Sequence, residues 1–92
     1  RQLGDKLQMS RTLGSISDLY EKQNAYTSSL HYAFQSLELR KQLGYQQDVA
    51  SVLEVIAGIF LKMKDSDRAI EYAENALKIY QEVENKEGVR TV

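Results

Sequence analysis

Apolar residues recur along this chain at intervals of three and four, the spacing that lines one face of an α-helix. Leu13, Ile16, Leu19 and Tyr20 form one such stripe, and Leu30, Ala33, Leu37 and Leu39 form another. Between them lies Gln23-Asn24-Ala25, where Asn24 tolerates the left-handed backbone that ends a helix. A second break, Lys64-Asp65-Ser66, puts Asp65 where its carboxylate can accept from the free amides of a first helical turn. Leu43-Gly44 closes another helix, since Gly44 is free to adopt the positive φ of a C-terminal cap. The pattern predicts four helices, at 5–22, 26–42, 46–63 and 66–84, with 87–92 as the first turn of a fifth. Connections this short make sequential helices antiparallel neighbours.

The stripes repeat. Shifted by 40 residues, Leu13 falls on Leu53, Ile16 on Ile56, Lys22 on Lys62, Tyr32 on Tyr72, Ala33 on Ala73 and Leu37 on Leu77. Size class is kept where identity is not: Met9 falls on Val49, Leu19 on Ile59, Tyr20 on Phe60 and Leu30 on Ile70. Small residues meet small ones, Ser10 with Ala50, Ser17 with Ala57, Ser29 with Ala69 and Ser36 with Ala76. A repeated packing environment demands this. Residues 5–42 form one unit and 46–84 a second, and 87–92 begin a further one, all within a single segment spanning 1–92.

Each unit resembles a tetratricopeptide repeat, whose consensus runs Trp-x2-Leu-Gly-x2-Tyr, then Ala-x3-Phe, then Pro. Here the matching positions are Leu13, Ile16, Ser17, Tyr20, Ser29, Ala33 and Ser36, then Leu53, Ile56, Ala57, Phe60, Ala69, Ala73 and Ala76. The period is 40 rather than 34, Leu stands at the Trp position and the Pro is missing. The longer period is similar to the subclass found in kinesin light chains, in Leu-Gly-Asn-type polarity adaptors and in bacterial sensors and regulators. The segment 37–44, Leu-Glu-Leu-Arg-Lys-Gln-Leu-Gly, looks like the joint between repeats of such arrays.

The resemblance implies an all-α fold of antiparallel helix pairs stacked as an α-α superhelix. Small residues at 17/57 and 29/69 would let the helices of a pair approach closely, those at 36/76 would let the next unit dock, and Tyr20/Phe60 would fill the space between. The resemblance also implies a protein- or peptide-binding scaffold in the sensory or regulatory region of a larger bacterial signalling protein, attached to a diguanylate cyclase, a histidine kinase or a DNA-binding domain. Arg1-Gln2-Leu3-Gly4 matches 41–44 and Gly88–Val92 matches 48–52, which reads as a segment excised from a longer array. A homodimer through exposed repeat ends is a further expectation, and a purely structural homo-oligomerisation role is the alternative to peptide binding.

In such arrays the first helix of each pair lines a concave groove. By position the groove side would be Arg11, Gly14, Ser15, Asp18, Glu21 and Lys22, then Ser51, Glu54, Val55, Gly58, Leu61 and Lys62. The family's Lys/Asn/Arg clamp for a C-terminal carboxylate has Gly14, Asp18 and Val55 in its place, and its backbone-reading Asn positions hold Ser15 and Val55. What remains favours a basic, apolar partner, with Asp18, Glu21 and Glu54 as acids and Val55 and Leu61 as grease. The third helix is apolar on more than one face. Leu53, Ile56, Ile59 and Phe60 fit ordinary core packing, which leaves Val55 and Leu61 over for a partner.

Composition narrows the functional classes. The 92 residues carry a net charge of −1, with no stripe of cations interleaved with aromatics, so a nucleic-acid role is not expected. The longest apolar stretch, Val52–Leu61, is interrupted by Glu54 and too short for a bilayer, so no membrane contact is expected of this segment. The absence of Cys excludes thiol chemistry and Cys-based zinc sites. It fits a cytoplasmic location, or a periplasmic sensor region, equally well. His31 is the sole histidine and reads as a solvated residue on the outer side of the second helix, so no His-x3-His metal pair exists and a serine nucleophile with its base is not expected. Asp65-Ser66-Asp67 resembles the opening of a calcium loop but lacks the following Gly and distal Glu. No enzyme, no cofactor and no metal are expected.

Overall fold

The chain turns back on itself by the same backbone hydrogen bonds twice. In the computed structural model, which describes the backbone of residues 2–91 and the side chains of 4–84, α1 (Gln2–Lys22) and α2 (Tyr26–Leu43) form a first hairpin, and α3 (Gln46–Lys62) and α4 (Ser66–Thr91) a second. At the end of α1 the Ala25 amide donates to the Tyr20 carbonyl and the Asn24 amide to that of Glu21, both at 2.9 Å. At the end of α3 the Asp65 amide donates to Phe60 and the Lys64 amide to Leu61, at 2.9 and 3.0 Å. Both closures are Schellman caps, and each needs one left-handed residue. These are Asn24 (φ 64°) and Lys64 (φ 67°), 40 positions apart. Gly44 (φ 79°) supplies the third positive φ and ends α2. Asp65 caps α4, its Oδ1 accepting from the Arg68 amide at 3.2 Å.

Small residues hold the hairpins. Ser17 donates its hydroxyl to the Ser29 carbonyl at 2.8 Å and Ser29 donates back to the Ser17 carbonyl at 2.7 Å. Two turns further along α2, Ser36 donates to the Ser10 carbonyl at 2.9 Å. All four serines are buried, and the pairing of 17 with 29 and of 10 with 36 sets α1 and α2 antiparallel. In the second hairpin the buried Ala50, Ala57, Ala69 and Ala76 occupy the corresponding positions. The expectation that Ser36 serves the next unit is therefore corrected. Seven residues are about two helical turns, so Ser36 shares a face with Ser29 and meets α1. The docking of α3 on α2 falls instead to Leu30, Ala33 and Leu37, which join the central apolar cluster.

Aromatic rings seal each hairpin at the equivalent point, Tyr20 stacking on Tyr32 (centroids 5.6 Å apart) and Phe60 on Tyr72 (5.5 Å). Phe34 meets Tyr72 edge-on at 5.8 Å and ties α2 to α4. The buried core centres on α3, which contributes Val49, Ala50, Val52, Leu53, Ile56, Ala57, Ile59 and Phe60. Consecutive helices pack against each other, α1 on α2, α2 on α3 and α3 on α4. The smallest extent of the Cα trace is 16 Å. Two helix radii of 2.3 Å plus an interaxial distance of about 10 Å give about 15 Å, so the helices lie in two layers, α1 and α3 in one and α2 and α4 in the other. The radius of gyration of 14.1 Å exceeds the roughly 12 Å expected for a compact chain of this length, as a slab requires.

The bounds shift modestly at three places, α1 starting at Gln2, α2 ending at Leu43 and α3 at Lys62, and substantially at one. Residues 87–91 do not open a fifth helix; α4 runs through them without a break. By the 40-residue offset Glu84 stands where Gly44 does. With no glycine to accept a left-handed backbone cheaply, helical propagation simply continues.

The caps and the small-residue contacts can be tested by urea denaturation. Lys64→Gly should raise stability by roughly 0.5–1 kcal/mol, and Gly44→Ala should lower it by roughly 1–2 kcal/mol, because each changes the cost of a left-handed residue. The double change Ser17→Ala with Ser29→Ala should stay within about 1 kcal/mol of the parent, since both partners are replaced by the apolar pair the second hairpin already uses. Ser29→Leu should cost about 1–3 kcal/mol by forcing the helices apart.

Candidate binding cleft

Placing α1 and α3 side by side over α2 leaves a cleft of about 440 Å³ between them. One wall is α1, with Arg11, Gly14, Ser15, Ser17 and Asp18, and the other is α3, with Ser51, Val52 and Val55. Ala33, Ser36 and Arg40 of α2 form the floor. The walls exist because residues 11, 14, 15 and 18 fall three and four apart, on a single face of α1 beside its Ser10–Ser17 seam. Gly14 faces the floor: a Cβ there would stand in ordinary contact, 4.0 Å, with the Ser36 hydroxyl.

Charge divides the cleft along its length. Arg11 adjoins Ser10, which receives the Ser36 hydroxyl, and Arg40 lies one turn beyond Ser36, so both guanidiniums belong to the end where α2 finishes. Arg40 Nη1 donates to the Asp48 carbonyl at 3.3 Å. Its Nε is buried and has no partner. Asp18 lies farther along and pairs with Lys22 at 3.4 Å, in an exposed contact.

Of the residues expected to line a groove, Arg11, Ser15, Asp18 and Val55 come together in the cleft, with Gly14 and Ser51. The others are not among its lining residues. Glu21 forms an ion pair with Lys62 that links the ends of α1 and α3, and Lys22 is engaged with Asp18. Glu54 accepts a hydrogen bond from the Tyr80 hydroxyl at 3.2 Å, which turns it toward α4. Leu61 is 62% exposed and borders no described cleft. Of the three acids expected there, Asp18 lines the cleft together with Arg11 and Arg40, while Glu21 and Glu54 are engaged by Lys62 and Tyr80. Arg40 and Ser36 were missed because they belong to a second helix, and only the gap between α1 and α3 exposes them to the cleft.

No protein-family model, curated protein or solved structure matches the chain. The surrounding electrostatics are mild. The Glu21 carboxylate, through its hydrogen bond and then its charge, raises the Lys62 pKa above its ordinary value. Burial raises the Tyr80 pKa, with the Glu54 charge and hydrogen bond adding to it. His31 lies on the outer side, exposed, its Nε2 at 2.8 Å from the Gln35 amide. No described helix is long and apolar enough to cross a membrane.

Tyr80 carries a pH signature. The folded state keeps its proton beyond the ordinary value of 10.0, where the unfolded chain releases it. The stabilisation is complete below that value and is lost as pH rises through the raised one. Urea midpoints taken from pH 8 to 11 should fall more steeply for the parent than for Tyr80→Phe, and superimposable profiles would show that Tyr80 is not held in this way.

Proposed function

We propose that the chain is a protein-interaction module of the tetratricopeptide type. Its two helical hairpins are consecutive repeats of a superhelical stack, and the cleft between their first helices takes a peptide segment from a partner protein. The observation that carries this is the cleft itself, walled by equivalent helices of two units that share their turn bonding 40 residues apart. Its volume falls in the range of about 300–1,000 Å³ typical of ligand sites.

The lining supplies recognition groups. Arg11 and Arg40 offer guanidinium donors to a carboxylate side chain, Val52 and Val55 offer an apolar wall, and the hydroxyls of Ser15 and Ser51 can bond a peptide backbone. The fitting segment is acidic at one end and aliphatic beside it. Catalysis is no part of this reading: the single histidine is turned outward to Gln35, so no serine of the cleft has an imidazole as its base.

Selection from a phage-displayed random dodecapeptide library tests the proposal. Peptides retained by the parent should carry Asp or Glu next to an aliphatic residue. Measured by fluorescence polarisation, their affinity should fall at least about tenfold for the double variant Arg11→Glu, Val55→Asp. Both positions are exposed, so the variant should keep the parent's helical circular dichroism. Equal binding by a folded variant would overturn the assignment of the cleft.

A further inference from the structure

The same position is covered in one hairpin and bare in the other. On α2, Ala33 is 2% exposed and Leu37 6%, with Leu30 packed on the core beside them, because α3 lies over this face. Their equivalents on α4 are Ile70, Ala73 and Leu77. All three are exposed, Ile70 at 55% and Leu77 at 56%. The reverse holds at the other end of the slab. Val49 and Ile59 of α3 are buried at 6% and 0%, whereas their equivalents on α1, Met9 and Leu19, are 52% and 59% exposed. What α1 lacks is the cover that α2 gives α3, and what α4 lacks is the cover that α3 gives α2.

The two bare faces are therefore complementary halves of a contact the chain already makes once. They lie at opposite ends of the α1-α2-α3-α4 stack and cannot meet within one molecule. We propose that they meet between molecules: α1 of a second copy docks on the Ile70–Leu77 face of α4, repeating the α2–α3 contact. A shallow depression bordered by Ile16, Leu19 and Tyr20 gives the incoming face a place to seat Ile70, the counterpart of Leu30. A net charge of −1 opposes such stacking little. The contact is heterologous, since a different patch is used on each copy. Each added copy again offers one bare face of each kind, so growth is open-ended. It does not depend on what the cleft binds.

Sedimentation velocity from about 5 µM to 1 mM, with two blocked variants, tests this. The weight-average mass of the parent should rise with concentration past that of a dimer. Met9→Asp with Leu19→Asp blocks one face and Ile70→Asp with Leu77→Asp blocks the other. Each variant alone should remain monomeric, with self-association weakened at least about tenfold. Mixed in equal amounts, they should give a one-to-one dimer and nothing larger, because each retains the face the other lacks. All four positions are exposed, and unchanged helical circular dichroism verifies folding. A parent that stays monomeric to 1 mM, a parent that stops at a closed dimer, or a mixture of folded variants that stays monomeric would each overturn the proposal.

Discussion

Close approach of the helices within each hairpin is the constraint on which the rest depends. Where Ser17 meets Ser29 and Ser10 meets Ser36, the hydroxyls of Ser17, Ser29 and Ser36 each reach a backbone carbonyl of the neighbouring helix. That is possible only if nothing larger than a hydroxymethyl stands between the backbones. The second hairpin meets the same requirement with alanine. The two solutions differ in kind. Ser–Ser contacts fix the helices by direction through hydrogen bonds, while Ala–Ala contacts fix them by shape and dispersion alone. Both set a similar spacing, so one slab can be built from two unequal hairpins.

From that spacing the cleft follows. With α1 and α2 close, and α3 and α4 close, the looser distance lies between α1 and α3. It is bridged at one end by the Glu21–Lys62 ion pair and open over Ser36 and Arg40. The large side chains that might have filled it are spent elsewhere: Ile56, Ile59 and Phe60 are buried in the core. The cleft faces solvent with small and polar residues because the hairpin seams lie directly beneath it.

The features legible in the sequence were those decided locally. Asn24 and Gly44 announce helix ends through their backbone freedom, and Asp65 announces a cap through its carboxylate. The 40-residue offset exposed the seams, since small residues matched small residues. Lys64 escaped notice because nothing about lysine favours a left-handed backbone; the Schellman bonding around it imposes the conformation. The end of α4 was misplaced for the opposite reason, an expected stop without a glycine to make it. In the cleft, the positions on α1 and Val55 on α3 could be read from helical spacing. Arg40 could not, because only the tertiary gap uncovers it. Glu54 and Glu21 seemed available until partners 26 and 41 residues away, Tyr80 and Lys62, took them.

The uneven burial along the chain has a consequence for the cleft. Among the described side chains of α1 only Ser10 and Ser17 are buried, whereas α3 buries eight residues. The helix with the fewest buried apolar contacts is the one whose detachment costs least, and local opening begins at such elements. That helix is also one wall of the cleft. An occupant spanning α1 and α3 would bind only the closed arrangement, so its binding energy would add directly to the hold on α1. Affinity for such an occupant and the integrity of the first hairpin would then be thermodynamically linked.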